Sequence, residues 1–332
     1  MRGAPVLSQQ DGDAGSQPRP RRRRVLRVLA IALGGLLLLV IVGAASMYRG
    51  DIPVEELIGR YAAAPSRFME LEGMRVHYRD EGAGPPLLLV HGTSSSLHTW
   101  DAWTGALAGK RRVLRLDLPG FGLTGPAPDR DYRVERYARL LAAFLARLDV
   151  ARADVAGNSL GGRVAVAFAL AHPGRVRKLV LIDPAGLSGV PPPAIFALAQ
   201  TPVLNRVLRH LTPRFIVRRN LEEVYGDDSK VSDALVDRYH ALVRRSGNRQ
   251  ALVDRLTRAQ DPLLDDLLGG LRAPVLIQWG EADVWIPLAN AHRFHRAIAG
   301  SELRVYPGAG HTPMEELPGP TARDADEFLG RD

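Results

Sequence analysis

The chain has 332 residues, 46% of them hydrophobic, which excludes disorder over most of its length and is enough for one large core with an insertion or for two ordinary domains. It contains no cysteine, so disulfides, thiolate metal sites and a thiol nucleophile are excluded. Of the net charge of +8, +5 lies in residues 1–27, where seven arginines face only Asp11 and Asp13, and the rest forms no basic block interleaved with aromatics, which speaks against a nucleic-acid partner.

Residues 1–27, rich in Gly, Ser, Gln, Pro and Arg, are expected to be a disordered basic tail. Val28 to Met47 is uncharged and dominated by Leu, Val, Ile, Ala and Gly. About 20 helical residues cover about 30 Å, so 28–48 is expected to be a transmembrane signal anchor. The arginines ahead of it, with Tyr48 and Arg49 behind, place the amino terminus in the cytoplasm and the bulk of the chain on the exported side. A cleaved signal peptide is the alternative, since Val42-Gly43-Ala44 supplies small residues, although the apolar run is longer than such peptides use. Over 49–67, Val54, Leu57, Ile58 and Tyr61 fall at helical spacing, which predicts an amphipathic connector beneath the membrane.

The globular domain is expected from Phe68. Phe68–Glu72 and Met74–Arg79 alternate around Gly73 as a hairpin does, and Leu87–Val90 is apolar throughout, like a strand buried on both faces. Strand and helix then alternate: strand Val113–Leu116, helix Val134–Leu148, strand Ala153–Ala156, helix to Ala171 and strand Val176–Ile182. After a gap come strand Val275–Trp279, helix Leu288–Ile298, strand Leu303–Tyr306 and a last helix Arg323–Leu329. This predicts an α/β fold, a mostly parallel sheet with helices on both faces. Residues 186–271 break the rhythm, with helical patterns around Ile195–Leu211, Asp233–Arg245 and Gln250–Leu256 and no strand. A helical cap over the strand ends is expected there, with a subdomain packed elsewhere as the alternative; the core is 68–185 with 272–332.

Gly157-Asn158-Ser159-Leu160-Gly161 lies between a strand and a helix. Read alone it is also what a flexible turn looks like. In a strand–turn–helix context it predicts a nucleophile elbow, whose glycines leave the room that a strained serine needs. Serine keeps its proton at neutral pH and needs a histidine to accept it. His311, in the glycine-rich loop after Leu303–Tyr306, fits that role, and Asp283, after Val275–Trp279, fits the orienting acid; Glu281 and Asp183 are its competitors. An oxyanion needs fixed donors, for which the backbone N–H groups of Leu160 and of Thr93 are the candidates, and His91 then serves the loop structurally. No Gly-Lys-Ser/Thr ending or dinucleotide glycine spacing is present, so no nucleotide cofactor is implied.

These residues resemble the α/β-hydrolase family from Phe68 to Leu329: His91-Gly92, Asp117-Leu118-Pro119-Gly120-Phe121-Gly122, Gly157 to Gly162, Gly280 to Asp283 and Gly310-His311 occur in family order. The resemblance implies a serine hydrolase without metal or organic cofactor, capped between its sixth and seventh strands. Relatives with an aspartate nucleophile are disfavoured by Ser159. The elbow is similar to that of hydrolases cleaving C–C bonds of ring-cleavage products, which usually carry tryptophan after the catalytic histidine, where this chain has Thr312. An amino-terminal anchor ahead of this fold, with Asp183-Pro184-Ala185-Gly186-Leu187, resembles the monoacylglycerol-lipase-like branch. The expectation is an anchored esterase or lipase acting on an apolar ester, the cap aliphatics Ile195, Leu198, Val203, Leu204 and Leu208 being candidates to face it. C–C bond hydrolysis is the alternative, and a non-catalytic binding protein on the same scaffold a third.

Overall fold

A computed structural model describes residues 20–331, so most of the tail expected at 1–27 lies outside the described residues. Ahead of Tyr48 the chain forms one compact unit whose described part is helix α1 (Pro20–Met47). Its described large apolar side chains, such as Leu29, Ile31, Leu33 and Leu39, are exposed. Among the described residues no helix is long and apolar enough to cross a membrane. The span expected at 28–48 includes Val40, Ile41 and Ala44 to Ser46, whose side chains lie outside those described, so the uninterrupted run that a span requires is not contained in the described part.

The second unit begins at Tyr48, earlier than the start expected at Phe68. The reason is packing. Helix α2 (Val54–Tyr61) carries its apolar stripe inward: Leu57 is fully buried against Ile52, Leu123, Ala241 and Leu242. Ahead of it the chain is stitched down, Ile52 N–H donating to Arg244 O (2.7 Å) and Ser246 N–H to Ile52 O (2.9 Å). The connector is thus part of the folded body rather than a free tether.

Eight strands form one sheet: β1 (Arg67–Leu71), β2 (Met74–Glu81), β3 (Pro86–Val90), β4 (Arg112–Leu116), β5 (Ala153–Asn158), β6 (Val176–Ile182), β7 (Val275–Gly280) and β8 (Glu302–Tyr306), in the order β1-β2-β4-β3-β5-β6-β7-β8. The β1–β2 hairpin is antiparallel and β2 joins β4 antiparallel; all other pairings are parallel. The parallel strands read as continuous apolar runs because both their faces are covered. Leu88, Val90, Leu114 and Val155 meet α4 (Val134–Arg147) and α5 (Leu160–Ala171) on one side. Leu87, Leu89 and Ala156 meet α3 (Asp101–Leu107) and the last helix, here numbered α13 (Pro318–Gly330), on the other. In the register Val90 lies opposite Gly157, Asn158 opposite Ile182 and Gly280 opposite Tyr306. The carboxyl ends of the central strands therefore share one edge, and every loop that carries a candidate site residue leaves from it.

Between β6 and β7 the chain carries α6 (Ala194–Gln200), α7 (Pro202–Leu208), α8 (Arg214–Val224), α9 (Asp233–Val243) and α10 (Asn248–Arg258). The single helical pattern expected over 195–211 is two helices, because Pro202 pushes Thr201 to extended backbone (φ −80°, ψ 123°). Helix α8 is not visible in the apolar pattern alone: its buried stripe is only Val217, Leu221 and Val224, set among arginines and glutamates. After β7 come α11 (Ala289–Ala297) and, after β8, α12 (Pro313–Glu316).

Candidate active site

Ser159 stands between β5 and α5 at φ 54°, ψ −117°, a left-handed conformation that costs a non-glycine residue energy and is found where the surrounding chain enforces it. The enforcement is local. Ser159 N–H donates to Ile182 O (3.0 Å) while its own carbonyl accepts from Arg163 N–H and Ala185 N–H, 3.1 Å each. A Cβ at Gly157 would sit 2.3 Å from Gly161 O, and one at Gly161 would sit 2.1 Å from Val90 O. Both glycines are therefore demanded by the closeness of the turn, not by loop flexibility.

His311 arrives on the loop after β8. Its Nδ1 lies 2.7 Å from Asp283 Oδ2, at full burial of both side chains. Asp283 Oδ1 already accepts from Trp285 N–H (2.8 Å) and Ile286 N–H (2.9 Å), so the carboxylate is fixed and acts as acceptor only. Nδ1 thus carries the hydrogen and Nε2 keeps its lone pair. Among the described residues neither His311 Nε2 nor the Ser159 hydroxyl has a hydrogen-bond partner, although both groups line the same cavity; in unliganded sites this contact is commonly loose and tightens around substrate. The N–H groups of Leu160 and Thr93 also meet no acceptor among the described residues, and Gly92 lets the Thr93 loop lie against the elbow, a Cβ there falling 3.2 Å from Ser159 Cβ.

Two side chains that the sequence did not single out hold this array together. Asn158 Nδ2 donates to Ile182 O (3.2 Å) and to His311 O (3.0 Å), tying the elbow to the histidine loop. Glu316 accepts from Gly310 N–H (2.7 Å), Gly226 N–H (2.9 Å) and Asp227 N–H (3.3 Å), tying that loop to the segment after α8. Burial pushes the Glu316 carboxyl up while these three bonds oppose it. His91 is structural as expected: one ring nitrogen bonds Gly92 O (2.8 Å) and the other accepts from Leu118 N–H (2.9 Å), burial holding its pKa below the ordinary value. Asp117, in the motif after β4, accepts from Leu97 and Leu123 N–H, 2.7 Å each, and contacts His77 Nδ1 (2.7 Å). Burial opposes its charge, but the histidines around it outweigh this and hold the carboxyl below its usual range. Of the competitors for the acid role, Asp183 does not pair with His311. Asp183, Asp283 and His311 each offer an atom within 4.8 Å of the others, a spacing a cation could use, yet His311 Nδ1 and both Asp283 oxygens are taken by the bonds above.

Two cavities meet at Ser159. One, about 130 Å³, runs beneath the cap and is walled by Ile195, Phe196, Ile216, Leu221, Val253 and Trp285 among other apolar side chains. The other, about 450 Å³, opens past Pro191 to Pro193 and includes Arg163 and Arg255, which share Asp261. Of the cap aliphatics expected to face substrate, Ile195 does so; Leu198 and Leu204 are exposed, and the side chains of Val203 and Leu208 lie outside those described. The apolar cavity contains one arginine, Arg249, and the connector neutralises it: Asp51 Oδ1 accepts from its Nε (3.2 Å) and Arg49 O from its Nη1 (2.8 Å). Asp51→Asn is expected to lower stability by about 1–2 kcal/mol, less than for a fully buried pair because the Asp51 carboxylate is half exposed, and to raise KM by leaving an uncompensated cation at the cavity wall. An unchanged urea midpoint together with an unchanged KM would show that this pairing does not matter.

The family model for the α/β hydrolase fold matches residues 85–318. A 2-hydroxy-6-oxononadienedioate/2-hydroxy-6-oxononatrienedioate hydrolase from Cupriavidus pinatubonensis is 30% identical over 282 residues, 81% of this chain and 96% of the relative. A 2-hydroxy-6-oxo-2,4-heptadienoate hydrolase from Pseudomonas putida is 31% identical over 266 residues, 77% of this chain and 93% of the relative. Among solved structures, a bacterial membrane phospholipase A superposes with a TM-score of 0.69 at 26% identity, covering 92% of this chain and 96% of the other. With the sheet order, the elbow and these matches in hand, the chain belongs to the α/β-hydrolase family.

Proposed function

We propose that the protein is a membrane-anchored serine hydrolase that cleaves carboxylic esters with an apolar acyl group by way of an acyl-enzyme. Ser159 Oγ attacks the ester carbonyl and passes its proton to His311 Nε2; the resulting oxyanion is held by Thr93 and Leu160 N–H. Collapse expels the alcohol, which takes the proton back from His311, and water repeats the two steps to release the acid and free Ser159. The imidazolium that forms in each half is stabilised by Asp283. The observation that carries the ester reading is the cavity beneath the cap, whose surface is mostly apolar and whose arginine, Arg249, is already paired with Asp51.

The anchor belongs to the same proposal. The phospholipase match covers 92% of this chain where the two curated relatives cover 81% and 77%, so it extends ahead of the hydrolase core, and the arginines before Val28 favour a cytoplasmic amino terminus with the catalytic unit exported. Full-length protein should stay with membranes through alkaline carbonate extraction; release into the supernatant would count against the anchor.

Hydrolysis of a C–C bond in a ring-cleavage product is the second reading, and the names of the curated relatives favour it over the first. The larger cavity suits it, since Arg163 and Arg255 share the carboxylate of Asp261, which leaves positive charge near Ser159 for a substrate carboxylate. Two assays separate the readings: p-nitrophenyl esters from acetate to dodecanoate, and loss of colour of a 2-hydroxy-6-oxo-dienoate. Turnover rising with acyl length supports the apolar ester; colour loss with little esterase activity would replace it by the C–C reading, and strict preference for acetate would remove the lipid-like substrate.

A further inference from the structure

Asp183 is a buried acid that the reaction above does not use. It ends β6, in the sheet position between Ser159 at the end of β5 and the loop from Gly280 to Asp283 at the end of β7. Its backbone is held at φ 41°, with its N–H donating to Gln278 O (3.0 Å), and its side chain has no exposure. Oδ1 accepts from Gly280 N–H (3.0 Å), whereas Oδ2 is buried with no donor among the described residues. One carboxyl oxygen of Asp183, one of Asp283 and one ring nitrogen of His311 all lie within 4.8 Å of one another.

Two ionised carboxylates cannot sit side by side in a site closed to water without a counter-charge. A proton on Oδ2 removes the conflict and turns the unpaired acceptor into a donor, with the Asp283 carboxylate close by to accept. We propose that Asp183 is a positioning residue: as a neutral acid it donates a hydrogen bond to the Asp283 carboxylate, holding Asp283 in the orientation His311 needs and reducing the charge it presents to the imidazole. The inference rests on the triad reading. The electrostatics agree with the geometry, since burial and then the Asp283 charge push Asp183 well above the usual carboxyl range, Glu316 adds to this, and only Gly280 N–H opposes it. The groups that face it are Asp283 and Glu316, both acidic, and His311, whose hydrogen-bearing nitrogen is already given to Asp283.

Removing the donor returns full charge to Asp283, which stabilises the imidazolium relative to the neutral ring. The test uses the full chain carrying Asp183→Leu or Asp183→Asn, with kcat and KM for a p-nitrophenyl ester followed against pH. Leucine is expected to lower kcat by about 10-fold with little change in KM and to move the acid limb of kcat/KM upward by about half a pH unit or more. Asparagine, whose Nδ2–H can donate to Asp283 while Oδ1 still accepts from Gly280, is expected to recover most of that loss with the acid limb where the parent has it. A downward move of the limb in Asp183→Asn is what loss of a negative charge produces, and it would overturn the proposal; so would a leucine profile that does not move. If the leucine variant does not fold, the asparagine profile decides alone. Activity surviving in Ser159→Ala would overturn the triad reading beneath it, an outcome that the pH profiles do not mimic.

Discussion

Ser159→Ala is expected to lower kcat by about 10⁴–10⁶-fold while the protein keeps its thermal midpoint. Both halves of that expectation come from the same observations. The hydroxyl makes no hydrogen bond among the described residues, so removing it leaves no buried partner unsatisfied. Alanine meets φ 54° with much the same strain as serine, because the turn is enforced by backbone bonds and by Gly157 and Gly161. What disappears is the covalent route: no acyl-enzyme forms, and the residual rate is that of water attacking an ester held near Thr93 and Leu160 N–H. The variant should also fail to gain mass when treated with a fluorophosphonate that labels the parent. Retention of more than about one per cent of kcat would move the chemistry to another residue.

The three side chains of the proposed triad were legible because each leaves the carboxyl end of a strand, and chain order with strand position is something a sequence displays. Asp183 shared that signature with Asp283, and only the register separates them: Asp183 points its carboxyl at Gly280 N–H, while the turn at Asp283 lets two backbone N–H groups fix one oxygen and free the other for His311. The roles of Asn158 and Glu316 are not legible in the sequence, because their partners are carbonyls and N–H groups far along the chain, which carry no residue identity. The connector is legible as an amphipathic helix but its packing is not, since Leu57 finds its neighbours on α9 and near Leu123, contacts that no local pattern encodes. The same limit applies to the cavity. Ile195 and Leu198 look alike in sequence, and it is the packing of α6 against α10 that turns one inward and leaves the other exposed.

Asp283→Asn is expected to cost about 10⁴-fold in kcat, far more than the change at Asp183, although both replace a carboxyl by an amide of the same size. The two N–H groups of Trp285 and Ile286 point at Asp283 Oδ1 and can be satisfied only by an oxygen. The amide oxygen of asparagine must therefore take that side, which leaves its NH₂ facing His311 Nδ1 at the position now held by Oδ2. A donor there makes Nδ1 the acceptor, so the hydrogen moves to Nε2, the nitrogen that must take the proton from Ser159. The fold is retained, and the imidazole is presented in the wrong tautomer. At high pH the loss should shrink as hydroxide replaces the histidine as base, so the ratio of parent to variant kcat measured from pH 7 to pH 10 checks the argument. If the asparagine variant instead kept kcat within about 10-fold of the parent across that range, Asp283 would not be fixing the tautomer, and a second acid would have to be doing so.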